Sequence, residues 1–253
     1  LLTECTDLYN NYKQFMYFNE LPDFQPTIGS NMNDSLAITK HPDETHSTFY
    51  IVLSPMMKNY NNIIRKAIFF HEYTHIYIEN KIFKECNDYE KAKNISLYYS
   101  EFYCSRIQTM ALLKFSNKND NKNIHTTDKM YYYIENKQKY DTILSFINEN
   151  YAHSCAYINQ CLDSESKNKR KVFLDSLKYS MYFVGSIDLL NTCCYESLSP
   201  YITFSLFADS FGKEVIDLYS YIRSIKDVNV KNLEPICDYL IKLIDNARLF
   251  RTW

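Results

Sequence analysis

Three residues in one short run of the chain have the types and the spacing of a catalytic metal site. The run AIFFHEYTHIYIE, residues 67–79, contains His71, Glu72 and His75 in the pattern H-E-x-x-H. Residues four apart lie on one face of a helix, so the two imidazoles can bind one tetrahedral Zn²⁺ from the same side. Glu72 lies about 100° around the helix from His71. The spacing therefore predicts zinc on His71 and His75, with Glu72 as the general base that takes a proton from a zinc-activated water.

The residues around the motif indicate that its helix is buried. Apolar side chains stand on both sides of it: Ile63, Ile64, Ala67, Ile68, Phe69, Phe70, Ile76, Tyr77 and Ile78. A helix that is apolar nearly all round is a buried helix, and burying two imidazoles and a carboxylate without partners is costly. A metal ion would offset that cost. The alternative is a pair of hydrogen-bonded core histidines beside an unrelated glutamate, since a pattern this short also arises by chance.

A catalytic zinc normally has three protein ligands and one open position, so a third ligand is needed. The acidic candidates after the motif are Glu79, Glu85, Glu90 and Glu101. Glu79 follows on the same helix and would crowd the site, while Glu85 and Glu90 lie in the polar connection ECNDYEK. Glu101 is a lone acid in the apolar run LYYSEFYCSRIQTMALL, and a buried carboxylate needs a partner. We predict Glu101 as the third ligand; the alternative is an ion pair with Arg106 or a lysine.

The elements that must position these residues can be predicted in outline. Residues 1–20 have a helical pattern, and Pro22, Pro26 and Gly29 then interrupt the chain. Two β-rich runs, Leu36–Lys40 and Ser47–Leu53, are separated by HPDETH and predict a hairpin. From residue 56 to residue 184 there is no proline and no glycine, which favours a long series of helices.

The helical patterns divide the chain into two parts. They cover residues 56–81 with the motif, 89–115 with Glu101, and then 127–149, 151–162, 168–190, 200–224 and 232–249. The polar run SNKNDNKN, residues 116–123, is the best candidate for a linker. We therefore predict an α+β fold, with a core in residues 1–116 and an all-helical region in residues 124–253 that serves recognition or dimerisation.

Composition and cysteine usage narrow the functional classes. The net charge of −2 does not suggest a general nucleic-acid or membrane-surface binder, and no apolar run has the length of a membrane span. The eight cysteines show neither a disulfide framework nor zinc-ribbon spacing. The adjacent pair Cys193 and Cys194 suits a reducing compartment, so we expect a cytoplasmic protein. Cys155 and Cys161 could alternatively pair or bind a metal ion.

The predicted order of elements resembles a known architecture. A strand hairpin, an H-E-x-x-H helix and a following helix with an inward glutamate are similar to the zincins, in their gluzincin branch, and most of all to the ImmA/IrrE-type metallopeptidases. In that family the glutamate opens an E-x-x-A-x-x-F-A-like helix, and here Cys104 and Ile107 would stand in the small and apolar positions after Glu101. The resemblance covers roughly residues 34–115.

The chain also departs from the family pattern. Tyr73 and Thr74 occupy the interior of the motif, where the family usually has an apolar residue and a glycine. Ser105 stands at the position where thermolysin-like enzymes have an aspartate that orients a zinc histidine. The sequence therefore does not identify residues that orient the metal ligands by hydrogen bonds.

The resemblance implies a zincin-like core, with a small antiparallel sheet, and a zinc-dependent metallopeptidase. The helical C-terminal half is more typical of a recognition or dimerisation module than of a digestive enzyme, so we expect the substrate to be a specific intracellular protein. Zn²⁺ would be held by His71, His75 and Glu101, with Glu72 as the base, and an extended substrate could add to the edge of the sheet. His125, His153 and several tyrosines are candidates for the donor that stabilises the oxyanion. The alternatives are a regulatory zinc-binding protein with little or no turnover and a metal-dependent hydrolase of a non-peptide substrate.

Overall fold

Helices predominate in the structure, and two small sheets make it a mixed α+β fold. The computed structural model describes residues 1–16, 21–30, 32, 35–42, 47–116, 124–135, 137–162, 169–198 and 205–246. The elements in these ranges are α1 (Leu2–Met16), β1 (Phe24–Ile28), β2 (Ala37–Lys40), β3 (Phe49–Leu53), a 3₁₀ turn (Pro55–Asn59), α2 (Asn62–Cys86), α3 (Tyr89–Ser116), β4 (Lys129–Ile134), β5 (Lys137–Thr142), α4 (Ile143–Leu162), α5 (Lys169–Cys193), α6 (Ser205–Phe211), α7 (Glu214–Ser224), α8 (Val230–Leu233) and α9 (Pro235–Asn246). None of the described helices has the length and apolar character of a membrane span.

The first sheet contains the predicted hairpin and one further strand. β2 and β3 pair antiparallel, with Ala37 opposite Leu53, which confirms the hairpin. β1 pairs parallel to β3, so the strand order is β1-β3-β2 and the sheet is mixed; the prediction of an antiparallel sheet was wrong in this respect. β1 also contains Pro26, where a break was predicted. An edge strand accommodates a proline because half of its backbone groups have no partner strand.

The second sheet corrects the prediction of an all-helical C-terminal region. β4 and β5 form an antiparallel hairpin, with Lys129 opposite Thr142, where a helix over residues 127–149 was predicted. Met130 and Tyr132 are buried in alternation with partly exposed neighbours, which is the period of a strand. Tyrosine and isoleucine favour strands. The absence of glycine and proline permits a helix but does not require one, and this is why the prediction failed.

The other helices follow the predicted order with shifted boundaries. α4 joins the end of the pattern predicted at 127–149 to the pattern predicted at 151–162 in one helix. The pattern at 200–224 divides into α6 and α7 at Gly212, whose φ of 96° is accessible to glycine at low cost. The predicted linker at 116–123 begins with the last residue of α3, and the rest of it lies outside the described residues.

α5 approaches α3 closely, and this contact joins the two predicted parts of the chain. A Cβ atom on Gly185 would lie 2.1 Å from the carbonyl oxygen of Phe102, so only glycine allows this packing. Buried apolar side chains from Cys5 to Leu243 form one continuous core. The division of the chain at residue 116 remains a prediction, but the region beyond it packs directly on the motif-bearing core.

A buried aspartate links three helices of this core. Asp188 of α5 is 5% exposed and pairs with Arg106 of α3 and with Arg223 of α7, whose Nε lies 2.5 Å from Oδ1. We expect Asp188→Asn to lower the free energy of unfolding by about 3 kcal/mol, at the low end for a buried pair because both guanidinium groups remain partly exposed. Urea denaturation measures this loss.

The matched control for this substitution is Glu149→Gln, which removes the charge of a partly exposed pair with Lys139 and can still accept the hydrogen bond of the Tyr132 hydroxyl. A pair of this kind contributes at most about 1 kcal/mol. Similar losses in the two variants would show that Asp188 does not hold the three helices together.

Candidate metal centre

The two motif histidines lie together on the face of α2 that packs against α3. His71 Nε2 and His75 Nε2 are 3.1 Å apart, and both side chains are buried. Two nitrogen ligands of a tetrahedral zinc ion stand about 3.3 Å apart, given Zn–N bonds of roughly 2.0–2.1 Å. The distance between the two imidazoles therefore fits the shared ligation that the motif predicts, and it also fits the alternative, a hydrogen bond between two core histidines.

Glu101 of α3 is directed at the same point. Its Oε2 lies 3.6 Å from His75 Nε2 and 3.9 Å from His71 Nε2, and its Oε1 lies 2.8 Å from Nζ of Lys178. The ion pair that was the alternative for Glu101 is thus present, with a lysine, while Arg106 pairs elsewhere. Oε2 is buried and has no hydrogen-bond partner. Lys178 balances the charge of this carboxylate through Oε1, and the buried Oε2 is the atom that a metal ion between it and the two imidazoles would satisfy.

Cys104 adds a fourth candidate ligand from the next turn of α3. The sulfur of Cys104 and one ring nitrogen each of His71 and His75 all lie within 4.8 Å of one another, and all three residues are buried. This His-His-Cys group could hold a metal ion. From the sequence, Cys104 was predicted only as the small residue of the family pattern and not as a ligand. Its position one helical turn after Glu101 could have indicated it.

His71, His75 and Glu101 are in the protonation states that metal ligands need, whereas burial raises the pKa of the Cys104 thiol, which would have to lose a proton to bind a metal ion. Burial lowers the pKa of His71 to about 3, with a further contribution from His75, and burial also lowers the pKa of His75. Burial opposes ionisation of Glu101, but His75, Lys178 and His71 outweigh it and lower the pKa of its carboxyl to about 2. Neutral imidazoles and an ionised carboxylate bind a metal ion without first losing protons.

Glu72 lies beside the histidines and is held by the sheet. The hydroxyl of Thr39, on the edge strand β2, donates to Oε2 of Glu72 at 2.7 Å. Burial raises the pKa of the Glu72 carboxyl to about 7, and the Thr39 hydrogen bond partly offsets this. The contact holds the Glu72 carboxylate on the side of the two histidines that faces the strand β2.

The two unusual residues inside the motif anchor α1. The Thr74 hydroxyl lies 2.8 Å from the Tyr12 hydroxyl, and the Tyr73 hydroxyl donates to the carbonyl of Cys5. Tyr12 and Cys5 belong to α1 and are fully buried. Thr74, at the glycine position of the family pattern, and Tyr73 beside it therefore hold α1 against α2 by hydrogen bonds.

The site opens into a cleft of about 870 Å³. Its walls come from the segment that leads into β2, from α2 and α3, and from β4, α4 and α5 of the second half of the chain. His71, Glu72 and Lys178 line it, together with Ser35–Ala37 and His153. This volume is in the upper part of the usual range for ligand sites, roughly 300–1,000 Å³.

The remaining candidates from the sequence lie away from the centre. The Glu85 carboxylate accepts from the backbone N–H of Val230, and Glu90 pairs with His41; both glutamates are exposed. His125 pairs with Glu196 at the surface.

Glu79 is buried on α2, where burial raises the pKa of its carboxyl to about 7 although Lys93 acts in the opposite direction. Cys155 is a free thiol, and the side chain of its proposed partner Cys161 lies outside the described residues.

Two residues of α5 that were not predicted from the sequence contact the predicted ligands. Lys178 pairs with Glu101, and the Tyr182 ring stacks on the His71 imidazole with centroids 5.5 Å apart and planes 3° from parallel. Lys178 is the only base in the run FLDSLKYSMYFVG, and this could have marked it in the same way that isolation in an apolar run marked Glu101. No comparable signal distinguishes Tyr182 among the many tyrosines of the chain.

Comparison with known proteins adds no family to this description, because no protein-family model, curated protein or solved structure matches the chain.

Proposed function

We propose that this protein is a zinc-dependent metallopeptidase of the zincin type, with His71, His75 and Glu101 as the zinc ligands. The observation that carries the proposal is the buried, unpartnered Oε2 of Glu101, which faces the Nε2 atoms of both motif histidines. Two imidazoles and one carboxylate form a ligand set of known catalytic zinc sites. The similarity to the ImmA/IrrE-type metallopeptidases rests on these residues and on the hairpin that precedes them.

Each residue of the site has a role in peptide hydrolysis. A zinc ion held by the three ligands supplies a Lewis acid that polarises the substrate carbonyl and makes water more acidic. Glu72 accepts the proton of the attacking water and returns it to the leaving amine. Thr39 keeps the Glu72 carboxylate in place, and Lys178 holds Oε1 of Glu101 so that Oε2 remains directed at the histidines.

The substrate that suits this cleft is an extended segment of a protein. β2 is at the edge of its sheet, and residues 35–37, at its start, line the cleft, so a peptide could pair with β2 as an added strand. The seven cysteines that the structure describes are free thiols. This supports a reducing, cytoplasmic location and an intracellular protein as the substrate.

A regulatory zinc-binding protein with little turnover is the second candidate, and Cys104 favours it. Structural zinc sites have four protein ligands and no open position. If the thiolate of Cys104 binds permanently beside the two histidines and Glu101, the site has no position for water.

Removal and return of zinc test the proposed function. We expect the protein to cleave members of a library of unstructured peptides, to lose this activity after dialysis against a chelator, and to regain it with one equivalent of Zn²⁺. Mass spectrometry identifies the products. A protein that binds stoichiometric zinc and cleaves no peptide and no cellular protein would instead support the regulatory function.

A further inference from the structure

Cys104 is the one candidate ligand of the centre to which the peptidase proposal assigns no role. It lies on α3 one turn after Glu101, with its side chain fully buried, and its sulfur is within 4.8 Å of a ring nitrogen of each motif histidine. Helical residues three apart share a face. α3 therefore presents a carboxylate and a thiol together to the two imidazoles of α2.

One atom at this centre points to a missing ligand independently of the cysteine. Oε2 of Glu101 is buried and without a hydrogen-bond partner, and Glu101 is 3% exposed. Buried polar atoms are nearly always satisfied. Oε2 lies 3.6 Å from His75 Nε2 and 3.9 Å from His71 Nε2, so one cation between these atoms would satisfy all three at once.

We propose that the thiolate of Cys104 is a fourth ligand of the same metal ion and closes the site when no substrate is bound. The proposal rests on the proposed zinc site and concerns its regulation. On binding, the sulfur–hydrogen bond breaks, a sulfur–metal bond forms, and the proton leaves to solvent. No oxidant or reductant takes part.

This arrangement has a direct consequence for the peptidase cycle. Four ligands from His71, His75, Glu101 and Cys104 complete a tetrahedral shell, which leaves no position for water or a substrate carbonyl. For turnover the thiolate must leave the metal and regain a proton from solvent. The Cys104 side chain then inhibits the resting enzyme, and an incoming substrate competes with Cys104 for the fourth position on the metal.

The test uses Co²⁺ as a spectroscopic substitute for zinc in the full-length protein. A thiolate ligand gives Co²⁺ an intense charge-transfer absorption in the near ultraviolet, whereas nitrogen and oxygen ligands give only weak d–d bands at longer wavelength. We expect wild type with one equivalent of Co²⁺ to show the charge-transfer band. Cys104→Ser should lose this band, keep the d–d bands and bind Co²⁺ at least about tenfold more weakly, since even residues behind the ligands contribute 10–100-fold.

The matched control is the double substitution Cys193→Ser and Cys194→Ser, which removes two thiols from the end of α5 and should leave the band unchanged. A wild-type spectrum with d–d bands but no charge transfer would overturn the role of Cys104 and leave the zinc site of the peptidase intact. If wild type binds no Co²⁺ and no Zn²⁺, the proposed function fails as well. The wild-type spectrum decides between these outcomes even if Cys104→Ser does not fold.

Discussion

We expect Glu72→Gln to cleave substrate at least about 10²–10⁴ times more slowly than wild type while it retains its zinc. General-base assistance contributes a factor of this size, and glutamine keeps the shape of the side chain but cannot take a proton. The Thr39 hydroxyl can still donate to the amide oxygen, so the position of the side chain should be preserved. Cleavage of one substrate peptide is followed by mass spectrometry, and zinc is measured in parallel by elemental analysis.

Glu79→Gln is the matched control for this experiment. Glu79 is also a buried glutamate of α2, and the same neutral substitution there lies outside the cleft lining. It should therefore leave the cleavage rate close to that of wild type. Equal rates for Glu72→Gln and wild type would contradict the catalytic role of Glu72. A loss of zinc in Glu72→Gln would place this residue on the metal instead.

The second large effect concerns metal content. We expect about one zinc per chain in wild type and none in His71→Ala or His75→Ala after dialysis, because each substitution removes a ligand and leaves the other buried groups unsatisfied. Glu101→Ala should bind zinc much more weakly. Elemental analysis and competition with a chromophoric chelator give the stoichiometry and the affinity.

Two exposed glutamates provide controls for the choice of the third ligand. Glu85→Ala and Glu90→Ala remove carboxylates that pair with Val230 and His41 at the surface, and both variants should bind zinc as wild type does. Stoichiometric zinc in both histidine variants would show that the motif is not the site. Strong loss in Glu85→Ala or Glu90→Ala, but not in Glu101→Ala, would reassign the third ligand.

The sequence was informative wherever a residue's type conflicted with its surroundings. His71, His75 and Glu101 are polar residues in apolar helical runs, and the structure brings all three together. Spacing along one helix is sufficient to place His71 beside His75, because helix geometry fixes their relation. Glu101 was predicted on different grounds, because an unpaired buried charge is costly. In the structure its carboxylate is partly paired, with Lys178 at Oε1.

The sequence was less informative where tertiary packing determines the secondary structure or the position of a side chain. The β4–β5 hairpin was missed because its residues contain no glycine or proline to mark it, while its pairing is seen only in three dimensions. Lys178 and Tyr182 lie more than seventy positions after Glu101, and no local pattern links them to it. Their place at the centre depends on the close contact at Gly185, whose partner Phe102 could not be predicted from spacing.

The contact between Lys178 and Glu101 also determines whether the site can be transferred to a fragment or to another protein. A fragment that ends at residue 116 carries the H-E-x-x-H motif and Glu101, yet it lacks the Lys178 ammonium group that balances the charge of Glu101 and the Tyr182 ring that covers His71. Grafting or truncation at the motif boundaries would therefore transfer His71, His75 and Glu101 without the Lys178 counter-charge that makes the buried carboxylate tolerable. In this protein the natural unit of transfer is the helix trio of α2, α3 and α5.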